Sequence, residues 1–320
     1  MNVLTVTFNP ALDLTVQAPS WHPGQVNVAA AAQTDAGGKG VNVAALLADW
    51  TRQSGEPLQV SASGFLGTGN AGPFEALFRE RGIQDAFVRV AGETRLGLKI
   101  VDPEAGSTTD FNLPGVQVSA AQLDGLLGQL RDLAGTQDAA VLAGSLPPGV
   151  PAETYARVVA ALRQSGVPFV AADTSGEALR RLLAAPTLPH LLKPNIHELE
   201  VALGRELPTD ADRLAAAREL LERGAEWVAL SLGEEGAWLV WAGGAVKAVP
   251  PQVDVVSTVG AGDAMVAGLV SARLAGLGPA EALSRATAFA AGNITRLGAQ
   301  LPPHDELMAL HRQVRLQKGC

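Results

Sequence analysis

Short β-rich runs alternate with Ala- and Leu-rich helical stretches along nearly the whole chain, and this alternation most constrains the fold. "VLTVTF" (3–8) reads as a strand, "GVNVAALLADWTRQSG" (40–55) as a helix and "LQVSASGFLG" (58–67) as a strand. "AGPFEALFRERG" (71–82) continues as a helix with Pro73 in its first turn. "AAVLAGSL" (139–146) is a strand, followed by the helix "PAETYARVVAALRQSG" (151–166), which Gly166 closes. "PFVAADTS" (168–175) is the next strand, and "LPHLLKPN" (188–195) contains another. "TDADRLAAARELLERG" (209–224) is a helix capped by Thr or Asp, and "WVALSLGEEGAWLVW" (227–241) gives two strands around a turn. Strands that alternate with helices pair in parallel and take helices on both faces of the sheet. Their near-continuous apolar character suits burial on both sides. The expectation is an α/β fold with a central, mostly parallel sheet, in a single domain spanning 1–320.

Two stretches break the rhythm. Residues 12–36 and 87–113 show strand-like alternation and turn residues with no helix between them. They predict a small β flap inserted into the α/β body.

Composition narrows the function classes. With 47% hydrophobic and 18% charged residues among 320, the chain can bury a large core. Only 4% of residues are aromatic, which disfavours base-stacking platforms. A net charge of −8 with no long basic run repels a phosphate-rich polymer, so no nucleic acid is expected. A small anion can still bind through a local cluster of cations and amides. The lone cysteine, Cys320, allows no internal disulfide and fits a reducing compartment. No apolar run approaches the ~20 residues of a membrane helix, and the start lacks a signal-peptide pattern. A cytoplasmic protein without membrane association is the expectation.

Two glycine-rich segments lead into helices. In "STVGAGDAM" (257–265), Gly260, Ala261 and Gly262 leave bare amides at a helix start, where unpaired N–H groups and the helix dipole favour an anion. Asp263 is a poor phosphate ligand there, because like charges repel. It suits a general base that takes a proton from an attacking hydroxyl. On spacing alone, a glycine-rich turn with Asp263 as cap fits as well. "DAGGKGVNVA" (35–44) is a second anion-friendly helix start with a cation, Lys39; Asn42 lies on the first turn, and there is no Walker A sequence.

Other segments add candidates. In "KPNIHELE" (193–200), Asn195 and Glu198 share a helix face and offer oxygens suited to Mg²⁺. Taken alone, solvated polar residues on an exposed helix explain them better. "TRLGLK" (94–99) puts Arg95 and Lys99 on one strand face, as a phosphate clamp or a solvated edge. Asp13, just after the first strand, suits sugar hydroxyls or a turn cap. "GTGNAG" (67–72) matches G-x-G-x-x-G, but Asp85 precedes the next expected strand, "FVRV", instead of ending it, so a dinucleotide site is disfavoured. Two anion sites, one base, a metal pair and a cationic flap together describe phosphoryl transfer.

At these residues the sequence resembles the PfkB (ribokinase-like) carbohydrate kinases. "GGKGVNVA" is similar to the family's first signature, "STVGAGDAMVAGLV" to its second and "KPNIHELE" to its N-x-x-E segment. The resemblance implies a ribokinase-like fold with a β-sheet lid that excludes water, and ATP with Mg²⁺ as phosphoryl donor. It implies Asp263 as base and Gly260, Ala261 and Gly262 as anion hole. Asp13, Gly38, Lys39, Asn42 and Arg95 would bind a sugar phosphate. Lys193, Asn195, Ser231, Gly233, Gly236 and Asn293 would serve the nucleotide, and Asn195 with Glu198 the metal. "TFNPALD", "TDFN", "AGSLPPGV" and "PPQVDVVSTVGAGD" point to members that phosphorylate fructose 1-phosphate, with tagatose 6-phosphate or fructose 6-phosphate as alternatives. Members pair through the lid, which implies a homodimer. Members also carry an Asp in the turn that is "GTGNAG" here, where Asn70 stands nearby; the resemblance gives that turn a structural role.

Overall fold

A ten-stranded sheet forms the body of the computed structural model, which describes residues 1–319; Cys320 lies outside the described residues. Its strands are β1 (Asn2–Thr7), β4 (Gln59–Gly67), β5 (Gln84–Val90), β8 (Ala139–Ala143), β9 (Phe169–Asp173), β10 (Leu191–Leu192), β11 (Trp227–Ser231), β12 (Ala237–Trp241), β13 (Gly244–Val249) and β14 (Arg315–Lys318). The order across the sheet is β14-β13-β12-β11-β10-β9-β8-β1-β4-β5. Pairing is parallel from β11 through β5 and antiparallel among β11, β12, β13 and β14.

Helices cover both faces. Alternate strand residues feed two separate apolar layers, Val3 into one and Leu4 into the other. The first layer is completed by α1 (Lys39–Ser54), α2 (Gly72–Arg81), α8 (Ala261–Leu274), α9 (Pro279–Asn293) and α10 (His304–Gln313). The second is completed by α3 (Ala120–Ala134), α4 (Thr154–Gln164), α5 (Gly176–Ala184), α6 (Ile196–Leu203) and α7 (Asp210–Glu222). Both layers are rich in Ala, and small residues let elements approach closely. A Cβ at Gly268 of α8 would lie 2.5 Å from Ala286 Cα of α9, so glycine there sets the helix spacing.

The second sheet has four strands in the order β3-β2-β6-β7: β2 (Ala11–Gln17), β3 (Ala31–Gly37), β6 (Arg95–Asp102) and β7 (Ser107–Asn112). The first part of the expected 87–113 flap does not belong to it. Residues 87–90 end β5, which pairs parallel with β4 at the edge of the main sheet. Asp85 therefore lies on β5, not before it. "FVRV" has the alternation of a half-covered strand, which fits a sheet edge as well as a flap.

Alternation divides the small sheet. Asp13, Arg95, Gly97 and Lys99 share one side, while Leu14, Val16, Leu98 and Ile100 share the other.

Candidate active site

The candidate residues cluster at the carboxyl ends of the parallel strands, where open α/β sheets hold their ligands. Asp173 is the last residue of β9, Lys193 directly follows β10, and Ser231 ends β11. The glycine-rich start of α1 approaches β1 closely. Gly38 has φ +108°, and a Cβ on it would lie 2.8 Å from Pro10 Cα. Only glycine combines that left-handed φ with that contact.

Asp263 sits in the first turn of α8, capped by Gly260 in the left-handed conformation (φ 82°). First-turn amides have no acceptor within their helix, so the half-buried Gly260–Gly262 segment forms an anion-receptive turn, in which Ala261 N makes one long bond, 3.4 Å, to Thr258 O. The Asp263 carboxylate is only 6% exposed and accepts a 2.7 Å hydrogen bond from Asn42 Nδ2 of α1. Burial lifts its pKa to about 7; the negative Asp173 adds to the rise, while the Asn42 hydrogen bond, Lys39 and Lys193 pull it down. A carboxyl poised there can hold a proton or release it near neutral pH.

Asp173 is the residue the motifs missed. It is 1% exposed and lies between two ammonium groups, Lys39 Nζ at 3.1 Å and Lys193 Nζ at 3.4 Å. Burial opposes its charge, but Lys193 and Lys39 outweigh burial and hold its pKa below the ordinary carboxylate range. Burial would likewise lower Lys39, yet the charges of Asp173, Asp263 and Glu198 hold it above its ordinary value. The sequence does contain a signal, an acid closing the otherwise apolar strand "FVAAD". Lys193 also meets the anion-receptive turn: a Cβ on Gly262 would lie 3.3 Å from its Nζ.

Asn195 and Glu198 do share a face, in a reciprocal capping box. Asn195 Oδ1 accepts from Glu198 N (2.7 Å), and Glu198 Oε2 accepts from Asn195 N (2.9 Å). Among the described residues no group of three or more His, Cys, Asp or Glu could hold a metal. The donor set fits a Mg²⁺ that keeps waters and takes most ligands from phosphates, because Glu198 Oε1 is outside the box and its charge reaches Lys39. Asn195 also bridges Ser231 across neighbouring strands. Gly233 (φ 62°) and Gly236 (φ 95°) shape the turn after β11; Gly236 is pressed on Ala248 O, leaving no room for a side chain. Asn293 is fully buried beneath Gly260, donating to Val259 O at 3.1 Å, so it braces the anion-receptive turn from behind.

On the small sheet, the Asp13 carboxylate pairs with Lys99 Nζ at 2.8 Å and is wedged between two glycines. A Cβ at Gly37 would lie 2.7 Å, and one at Gly97 2.5 Å, from its oxygens. Arg95 starts β6, with Nε donating to Asn9 O (3.4 Å) and Nη1 to Asn112 Oδ1 (3.0 Å). Burial lowers its pKa and Asp13 partly offsets this. Asn9 and Asn112 lie in the segments "TFNPALD" and "TDFN", but the sequence reading gives neither a role. Three amides of the turn at 67–72 are taken up inside the protein: Gly67 N donates to Thr94 Oγ1, Thr68 N to Val90 O and Gly69 N to Gly92 O.

A buried carboxylate beside amides and two ammonium groups is equipment for moving a phosphoryl group onto a hydroxyl. Residues 7–306 match the pfkB family carbohydrate kinase family, and the chain belongs to it. It is 47% identical over 292 residues to a 1-phosphofructokinase of Xanthomonas campestris pv. campestris, covering 90% of each chain. It is 44% identical over 318 residues to a 1-phosphofructokinase of Rhodobacter capsulatus, covering 99% of this chain and 98% of that one. The fold matches phosphofructokinase-2 of Escherichia coli in complex with substrates and products, with TM-score 0.88, 28% identity and coverage of 98% and 99%. No helix among the described residues is long and apolar enough to cross a membrane.

Proposed function

We propose that this carbohydrate kinase transfers the terminal phosphoryl group of ATP to fructose 1-phosphate, giving fructose 1,6-bisphosphate and ADP. One observation carries the reading: Asp263, buried and fixed by Asn42, stands directly beside the anion-receptive start of α8. Asp263 takes the proton of the C6 hydroxyl as the oxygen bonds to phosphorus and the bond to the ADP oxygen breaks. Gly260, Ala261 and Gly262 receive the migrating group through their amides. Lys39 and Lys193 balance its charge from either side of Asp173.

Asp13, Gly38, Asn42 and Arg95 hold the sugar phosphate, with Lys99 fixing Asp13. Lys193, Asn195, Ser231, Gly233 and Gly236 line the nucleotide, and Asn293 acts from beneath. Glu198 and Asn195 would hold a magnesium ion, which would supply shielding of the phosphate charge. The small sheet is the lid: its polar side carries Asp13, Arg95 and Lys99 toward the substrate, and closing it excludes water. A second copy covers the apolar side, formed by Leu14, Val16, Leu98 and Ile100, making a homodimer that works in the cytoplasm. Support for covering comes from Val26 and Val28 of the adjoining loop, 98% and 84% exposed.

A substrate panel read by coupled ADP release tests the assignment. Fructose 1-phosphate is expected to give the highest kcat/KM; an equal or higher value on tagatose 6-phosphate or fructose 6-phosphate overturns it. Sedimentation of the free protein tests the dimer, which a monomer at micromolar concentration would exclude.

A further inference from the structure

The 67–72 turn carries the sequence pattern of a phosphate loop, yet three of its amides, those of Gly67, Thr68 and Gly69, are spent inside the protein. They are spent on one short segment, Val90–Thr94, which connects the main sheet to the small one. Asn70 completes the grip. Its Nδ2 donates to Thr94 O at 2.9 Å, and its Oδ1 accepts from Thr94 N at 2.8 Å. An asparagine just before a helix commonly caps it, but α2 has Ala71 as N-cap and no side-chain cap bond. Both ends of the Asn70 amide are instead committed to Thr94, which is 3% exposed. The glycines allow this approach: Gly67 is pressed against the Thr94 nitrogen, and a Cβ at Gly69 would lie 2.9 Å from Glu93 Cγ.

Arg95 is the next residue. Its guanidinium is held at Nε and Nη1 only by single acceptors, on Asn9 and Asn112. A long side chain held at its tip still wanders unless its backbone is fixed, and binding must then supply the ordering. Arg95 itself pairs with Ala11 of β2 in the small sheet, whereas the asparagine that clamps the residue before it lies between β4 and α2, in the body of the protein.

We propose that Asn70 is a positioning residue for the sugar phosphate: by clamping both main-chain groups of Thr94 it sets Arg95 in place before substrate arrives, where the lid sheet leaves the body of the protein. The inference rests on the reading of Arg95 as a sugar-phosphate ligand. Asn70 touches no substrate and acts through Arg95. Loss of the clamp therefore weakens sugar-phosphate binding and leaves the nucleotide side and the base, Asp263, as they are.

The test is a double-mutant cycle on the full-length protein, read by calorimetric binding of fructose 1-phosphate and, separately, of ATP, alongside steady-state kinetics. Asn70→Ala is expected to weaken fructose 1-phosphate binding and raise its KM by about 5- to 20-fold, with ATP affinity and kcat within about 3-fold of the parent. In an Arg95→Ala background the same change is expected to add less than about 2-fold, because the side chain through which Asn70 acts is gone. Asn70→Asp keeps an acceptor for Thr94 N–H and is expected to lose a smaller factor than Asn70→Ala. It carries the test should the alanine variant not fold. Full additivity in the cycle, or equal losses for both substrates in either Asn70 variant, would overturn the proposal. If Arg95→Ala weakens fructose 1-phosphate binding while Asn70→Ala does not, the positioning role fails and the ligand role of Arg95 stands. If Arg95→Ala itself leaves binding unchanged, the underlying reading of Arg95 fails.

Discussion

Asn42 Nδ2 and Asp263 Oδ2 lie 2.7 Å apart, joining helix starts that are 221 residues apart in sequence. The bond holds one carboxylate oxygen and leaves the other without a hydrogen bond among the described residues, and the proposed reaction gives that oxygen the substrate hydroxyl. Replacing Asp263 with Ala removes the proton acceptor while leaving the amides of the α8 start in place. The expected result is a kcat lower by about 10²-fold or more, with binding of fructose 1-phosphate retained. Turnover close to the parent's would remove Asp263 from the mechanism.

A base must be ionised to work. With burial and Asp173 holding the free-enzyme pKa at about 7, kcat/KM for the sugar phosphate is expected to rise with pH and level off above that value. A profile flat from pH 5.5 to 8.5 would contradict the base role. The same shift bears on stability. The folded pKa lies above the unfolded value of 3.8, so the folded state binds the extra proton and stability falls as pH rises from 3.8 through about 7. Asp263→Asn keeps an acceptor for Asn42 and carries no charge. Its Tm is expected to exceed the parent's at pH 8 by roughly 2–5 °C. The gap should close as pH falls, which paired thermal melts at pH 8 and pH 5 measure.

Asp173 stands between Lys39 and Lys193 and raises the pKa of Asp263. Asp173→Asn deletes a negative charge that both ammonium groups use. Two effects of opposite sense are expected: kcat drops by about 10-fold or more because the lysines spread apart, and the acid limb of kcat/KM moves to lower pH because Asp263 has lost a like-charged neighbour. A loss of rate with an unmoved acid limb would mean that Asp173 serves folding alone.

The parallel centre of the main sheet was legible because its strands are buried on both faces and read as unbroken apolar runs between helices, whereas β13 and β14, toward one edge, carry no such mark. Thr209 likewise caps α7 as its position suggests, accepting from Asp212 N. Residues 87–90 were misplaced for the opposite reason: an edge strand covered on one side alternates like a lid strand. In the site, Asp263 and Lys39 were legible because glycine-rich helix starts leave a local mark. Asp173 was not, because its meaning lies in two lysines 134 and 20 positions away that only the sheet brings together. Motif resemblance places Asn293 near the nucleotide, and the structure adds a contact no motif shows: its Nδ2 donates to Val259 O and braces the turn before α8.

Glu198 carries two assignments at once, and they separate by substitution. As the third residue of a capping box it stabilises the start of α6 through Oε2, a task a neutral amide performs as well. As a partner for magnesium it must bring negative charge. Glu198→Gln keeps the box, so its Tm is expected to stay within about 1 °C of the parent's, while the magnesium concentration giving half-maximal rate rises several-fold. Glu198→Ala loses both, with a drop in stability of about 1 kcal/mol added to the magnesium effect. Unchanged magnesium dependence in the glutamine variant would leave Glu198 as a helix cap and shift the metal to phosphates and water alone.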